Sequence, residues 1–195
     1  MCIRDSLAAT YHLLGRHEEA LQLKQNVYSG MLKLNGMEHE ETLREASSYS
    51  ESLIQLKRYQ EVKSLLRKTI PVARRVLGDD NILTLVMKWI YATALYSDPA
   101  ASLDDLREAV ATLEETERTA RRVLGAAHPA AVGIERRLGF ARAALAARET
   151  SARVEAPARL EEALARVDRL ERELVEARRQ VAELRRTRAD AEVAP

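Results

Sequence analysis

The chain has 195 residues, room for one domain of ordinary size plus an extension. Gly (7) and Pro (5) are scarce, aromatics make up 4%, and Ala, Leu, Glu and Arg dominate, a balance that predicts an all-α chain because these residues lose little freedom in a helix. A net charge of +1 excludes a global field toward nucleic acid or an anionic membrane, and a single cysteine, Cys2, excludes an internal disulfide framework or a multi-thiolate metal site.

In chain order, Met1-Cys2-Ile3-Arg4-Asp5-Ser6 resembles translated adaptor sequence, so residues 1–6 are expected to be a non-native leader; the alternative is a genuine start. A repeat then organises residues 7–148. Gly36-Met37-Glu38-His39-Glu40-Glu41-Thr42-Leu43 is similar to Gly78-Asp79-Asp80-Asn81-Ile82-Leu83-Thr84-Leu85, and both to Gly125-Ala126-Ala127-His128-Pro129-Ala130-Ala131-Val132. The first two glycines lie 42 residues apart and the next two 47. Gly15-Arg16-His17-Glu18-Glu19-Ala20 returns 42 residues later as Lys57-Arg58-Tyr59-Gln60-Glu61-Val62, and the extra five residues of the third repeat fall between Ser97 and Leu103, around Asp98-Pro99. A period of this size marks a solenoid.

Within each period the apolar residues keep helical spacing. Leu43, Ala46, Tyr49, Leu53 and Leu56 form one face, and Val62, Leu65, Leu66, Thr69, Val72 and Val76 another, with Lys57–Gln60 as the turn between them. Each period closes on a Gly, where a positive φ is tolerated; Pro129 follows Gly125, where a helix can restart.

Leu7-Ala8-Ala9-Thr10-Tyr11-His12-Leu13-Leu14 and the turn after it resemble the first helix of a tetratricopeptide repeat. The 42-residue period and the ending Leu124-Gly125-Ala126-Ala127-His128-Pro129 resemble the kinesin-light-chain-like subclass of that repeat. The likeness covers residues 7–148 as three helix pairs and a further helix. The pattern is degenerate at Lys57, where the family has glycine, and at Asp98-Pro99; the order also differs, because in that family a coiled coil precedes the repeats.

From Thr150 to Pro157 the composition shifts, and residues 149–157 are expected to be a linker, with Pro157 in the first turn of a new helix. Over 158–188 the apolar positions Leu160, Ala163, Val167, Leu170, Leu174, Ala177, Val181 and Leu184 step by three and four without a break, an a/d coiled-coil seam of four heptads. Arg166 with Glu171, and Glu173 with Arg178, would attract across a parallel pair. Ten Arg against ten Asp and Glu after residue 150 leave the tail neutral, against a basic nucleic-acid arm. The seam implies a weak homodimer, packing on the repeats, or a solvated helix; residues 189–195 are expected to fray.

Catalytic patterns are lacking: there is no glycine-rich phosphate loop and no nucleophile elbow. Glu18-Glu19, Glu40-Glu41 and Glu114-Glu115 are sequence neighbours, which do not face each other on a helix. His17 holds the turn position of Tyr59 in the next repeat, and His39 and His128 hold the repeat-ending position of Asn81, so a capping or turn role is expected rather than metal binding. The expectation is a non-catalytic chain with no cofactor and no metal. No apolar run approaches the roughly 20 residues of a membrane span, and a cytoplasmic setting is expected.

The resemblance implies that the first helix of each repeat lines a concave, peptide-binding face. Carried over position by position, the groove residues are His12; Arg44, Ser47, Glu51 and Gln55; Val86, Trp89, Thr93 and Tyr96; and Arg136 and Phe140. The only Trp and the only Phe fall among them, and aromatics with Arg are the residue types that anchor interfaces. Trp89 between Arg44 and Arg136 would suit a segment with an acidic and an apolar residue. The function so implied is an adaptor that binds a protein or peptide, with weak pairing through the tail. The alternatives are a purely structural oligomerisation element, or the C-terminal part of a larger signalling protein.

Overall fold

A computed structural model describes residues 16–193, apart from the side chains of 159 and 182–193. Six helices follow one another: α1 His17–Asn35, α2 Glu40–Gln55, α3 Tyr59–Leu77, α4 Ile82–Ser97, α5 Leu103–Leu124 and α6 Pro129–Val193. No strand occurs among the described residues. The 1–6 leader, the helix expected over 7–14, His12 and the side chain of Leu184 lie outside them.

The repeat boundaries have a backbone cause. Gly36, Gly78 and Gly125 follow α1, α3 and α5 with φ of 78°, 94° and 88° and ψ of 176°, 161° and 152°. This region of backbone space is essentially open only to glycine. A Cβ at any of the three would meet nothing within 4 Å, so conformation alone demands the glycine. Three residues on, the next helix is capped. His39 Nδ1 accepts from the Glu41 N–H (3.2 Å), Asn81 Oδ1 from Leu83 (2.8 Å) and His128 Nδ1 from Ala130 (3.1 Å). The recurring His/Asn is an N-cap, satisfying a backbone donor that the first helical turn leaves orphaned.

The turn inside the second repeat ends α2 with a Schellman motif. The Arg58 N–H reaches Leu53 O (2.9 Å) and the Lys57 N–H reaches Ile54 O (2.9 Å), with Lys57 held at φ 58°. The family's glycine position is thus left-handed here as well, occupied by a lysine that bears the strain.

The two expected faces pack together. Leu43, Ala46, Leu53, Val62, Leu66 and Thr69 are fully buried, Leu65 and Val72 partly, while Val76 at the end of α3 is exposed. Each fully buried Leu or Val contributes roughly 1.5–3 kcal/mol. α2 touches α1, α3 and also α4, so the first helices of successive repeats lie side by side. Ala131, Ile134, Leu138 and Ala141 of α6 complete the same core. Adjoining repeats are cross-tied by an ion pair that recurs with the period: Arg75 to Glu38, and Arg122 to Asp80 at 2.6 Å.

The interruption at Asp98 is built rather than loose. The Asp98 carboxylate accepts from Lys63 Nζ (3.1 Å), Gln60 Nε2 (2.8 Å) and the Ala100 N–H (2.9 Å). Burial pushes its pKa up, but these three donors win and hold it below the usual carboxylate value. Ser102 and Asp105 then form a reciprocal capping box that restarts the chain as α5.

The chain divides into two compact units at Arg148/Glu149. The expected linker over 149–157 is corrected: these residues are helical, within α6, and Pro157 stands inside the helix rather than in its first turn. Proline there removes the N–H that would bond the Arg153 carbonyl and sets its ring against that carbonyl. The surrounding Ala152, Glu155, Ala156 and Ala158 are strong helix formers, and Ser151 Oγ bonds Glu155 at 3.1 Å, so the helix continues across the defect. It runs to Val193, so residues 189–193, expected to fray, are helical too.

Candidate functional site

The surface made by α2, α4 and the start of α6 holds a cavity of about 220 Å³, lined by Glu51, Ile54, Gln55, Trp89, Ile90, Thr93 and Arg137. Helical spacing brings them together: Glu51, Ile54 and Gln55 share one flank of α2, and Trp89, Ile90 and Thr93 one flank of α4. Trp89 is half-buried, and the Arg137 guanidinium lies over its ring, 4.1 Å from the centroid. Arg137 Nη1 donates to the Gly133 carbonyl, one turn back, at 3.1 Å. A Cβ at Gly133 would sit 3.6 Å from Arg137 Nη1 and 3.7 Å from Trp89 Cη2, ordinary contact distances, so an alanine would also fit against this stack.

The electrostatics are those of a confined site. Desolvation raises the Glu51 carboxyl pKa, opposed by the charges of Lys24 and Arg137. The side chain still meets solvent, as expected for a group ringed by protein at the wall of an open cavity. Desolvation lowers the Arg137 pKa, assisted by the like charge of Arg136 and opposed by Tyr96 and Glu51. Guanidinium and carboxylate therefore face one apolar-floored space, and among the described residues Arg137 has no carboxylate within ion-pair distance. A site of this size is below the roughly 300–1,000 Å³ of small-molecule pockets and suits a single side chain. Among the described residues no three His, Cys, Asp or Glu side chains could jointly hold a metal ion.

Of the groove residues named from sequence, Glu51, Gln55, Trp89 and Thr93 line the cavity, and Tyr96 is half-buried close enough to act on Arg137. The others do not. Arg44 is exposed and tied to Glu40 at 2.6 Å, Ser47 is buried, and Arg136 and Phe140 are on α6 outside the lining. Sequence reasoning missed Arg137 and Gly133, although a signal was present. The 47-residue offset carries Val86 onto Gly133 and Ile90 onto Arg137. At the flank where α4 carries two apolar residues, α6 carries a glycine and a cation, and a glycine inside a helix, which costs about 1 kcal/mol relative to alanine, was the visible departure.

No protein-family model matches the chain, and no curated protein matches it in sequence. Solved structures match its fold, among them TPR-like repeats of a protein described as a Podosopora anserina kinesin light chain and a point-substituted form of the same repeats. The substituted form is 20% identical with a TM-score of 0.65, and the other 20% identical with 0.64; each match covers 79% of this chain and 74% of that one. With its helix pairs, glycine-closed periods and capped restarts, this chain has the fold of kinesin-light-chain-like TPR repeat proteins.

Proposed function

We propose that the repeat unit is a non-catalytic adaptor that binds a segment of another protein on the surface of α2, α4 and early α6, anchored by one partner side chain in the Trp89–Arg137 cavity. The observation that carries this reading is the cavity itself: an aromatic wall, an apolar floor of Ile54 and Ile90, and opposed charges at Glu51 and Arg137. Aromatic and Arg side chains supply most of the binding energy at protein interfaces, since they bury much area at modest entropic cost. Gln55 and Thr93 offer groups that could bond a partner main chain. TPR-like folds are generally protein-interaction scaffolds, which supports protein rather than small-molecule partners. The tail, in the same reading, gives weak self-association. No helix among the described residues is long and apolar enough to cross a membrane.

The test is a selection of peptides from a random displayed library on the full chain, followed by binding measurements on Trp89→Ala. Truncating an aromatic anchor costs about 2 kcal/mol or more, so affinity should fall roughly 30-fold, with the helical circular dichroism kept. Selected peptides that bind Trp89→Ala as tightly as the parent would refute the anchor.

A further inference from the structure

The tail carries an apolar stripe that nothing among the described residues covers. Leu160, Val167, Leu170, Leu174 and Val181 are 48–62% exposed, and Ala163 and Ala177 between them are exposed as well. The stripe keeps the strict 3.5-residue period, which a helix needs only where it winds around another helix. On either side stand Arg166 and Glu173 at g, and Glu171 and Arg178 at e; none of the four is in an ion pair among the described residues.

We propose that the stripe binds the same stripe of a second copy of this chain as a parallel, in-register two-stranded coiled coil. The proposal rests on the reading that the tail self-associates, and adds its occupant, orientation and register. In a parallel pair, g of one helix faces the following e of the other. Arg166 then meets the second copy's Glu171, and Glu173 its Arg178; two-fold symmetry makes four attractive contacts. Reversing one helix with the seams still overlapped sets g against g and e against e. Glu171 then faces Glu171 and Glu173 faces Glu173, four carboxylates in two repelling pairs. Val at the a position followed by Leu at d, as in Val167 and Leu170, also favours two parallel strands. Ala163 and Ala177 at d leave gaps in the seam, so the association is weak and concentration-dependent.

The experiment uses the full chain carrying Cys2→Ser and Val167→Cys. An a residue meets its own counterpart only in a parallel, in-register pair, and a disulfide needs Cα atoms within about 7 Å. In glutathione buffer a covalent dimer should form. The antiparallel arrangement sets Val167 opposite Ala177, so that Val167→Cys stays unlinked and links instead to Ala177→Cys in a mixture. In a second arm, Arg166→Glu and Glu171→Arg should each weaken self-association roughly tenfold in sedimentation equilibrium, and mixing the two should restore it. Sedimentation of the unsubstituted chain separates the failures. A monomer at every concentration overturns self-association of the tail, and the proposed pairing with it. A dimer linked only between positions 167 and 177 overturns the parallel register and leaves self-association standing.

Discussion

At the scale of single residues, the same left-handed half of backbone space is used in two ways. Gly36, Gly78 and Gly125 hold a conformation that only glycine adopts readily, and Gly78→Ala is expected to cost about 1–3 kcal/mol by urea denaturation, although its Cβ would touch nothing. Lys57 holds a conformation that glycine prefers but other residues reach at a cost, so Lys57→Gly is expected to stabilise the chain by about 1 kcal/mol. Equal or lower stability would show that Lys57 bears no strain. Glu51 is the residue where stability and binding should part. Its folded-state pKa is raised by desolvation, so the folded chain takes up a proton more readily than the unfolded one. Stability should therefore rise as pH falls through the folded pKa toward the ordinary carboxylate value, and Glu51→Gln should raise the melting temperature at pH 7 while removing that rise. The glycines were legible in the sequence because their conformation admits so few residue types. Arg137 was not: groove positions were carried over on the offset of Trp89 and Thr93, which falls on Arg136 and Phe140, one and three residues away.

At the scale of elements, the faces of α2 and α3 could be read from spacing alone, because burial of Leu43, Leu53, Val62 and Leu66 dominates the energetics and leaves a periodic trace. The ties between elements leave no such trace. Arg75–Glu38 and Arg122–Asp80 recur with the period, yet among 31% charged residues nothing distinguishes them until the fold brings them together. The five-residue insertion was legible as an interruption, but not its fastening by Asp98 to Lys63, both over nine-tenths buried. Asp98→Asn would leave the Lys63 ammonium buried without its counter-charge, and a loss of about 3 kcal/mol is expected. Asp98 has a depressed folded pKa, so its contribution is complete above the ordinary carboxylate value and lost as pH falls through the folded one. The Asn variant should therefore differ from the parent at pH 7 and converge with it at the acid end; a constant difference would contradict the pair. The expected linker failed for the opposite reason: Pro157 is a strong local signal, outweighed by helix formers on both sides.

At the scale of the molecule, two units are built on different periods, a repeat of helix pairs and a heptad seam. The fold could be read in the sequence because both periods are long and redundant. The candidate site could be read only in part because it lies on the flanks between first helices, where a shift of one residue changes which side chain faces the cavity. The central claim is that a protein segment engages the cavity at Trp89, and because Trp89 is the only tryptophan, its fluorescence reports on that place alone. The measurement is titration of the full chain with tryptophan-free peptides selected on it. The expected result is a saturable change in Trp89 emission whose midpoint matches the binding constant, weakened tenfold or more in Arg137→Ala. Tight binding that leaves the emission unchanged and is indifferent to Arg137→Ala would contradict the claim and move the partner to another surface.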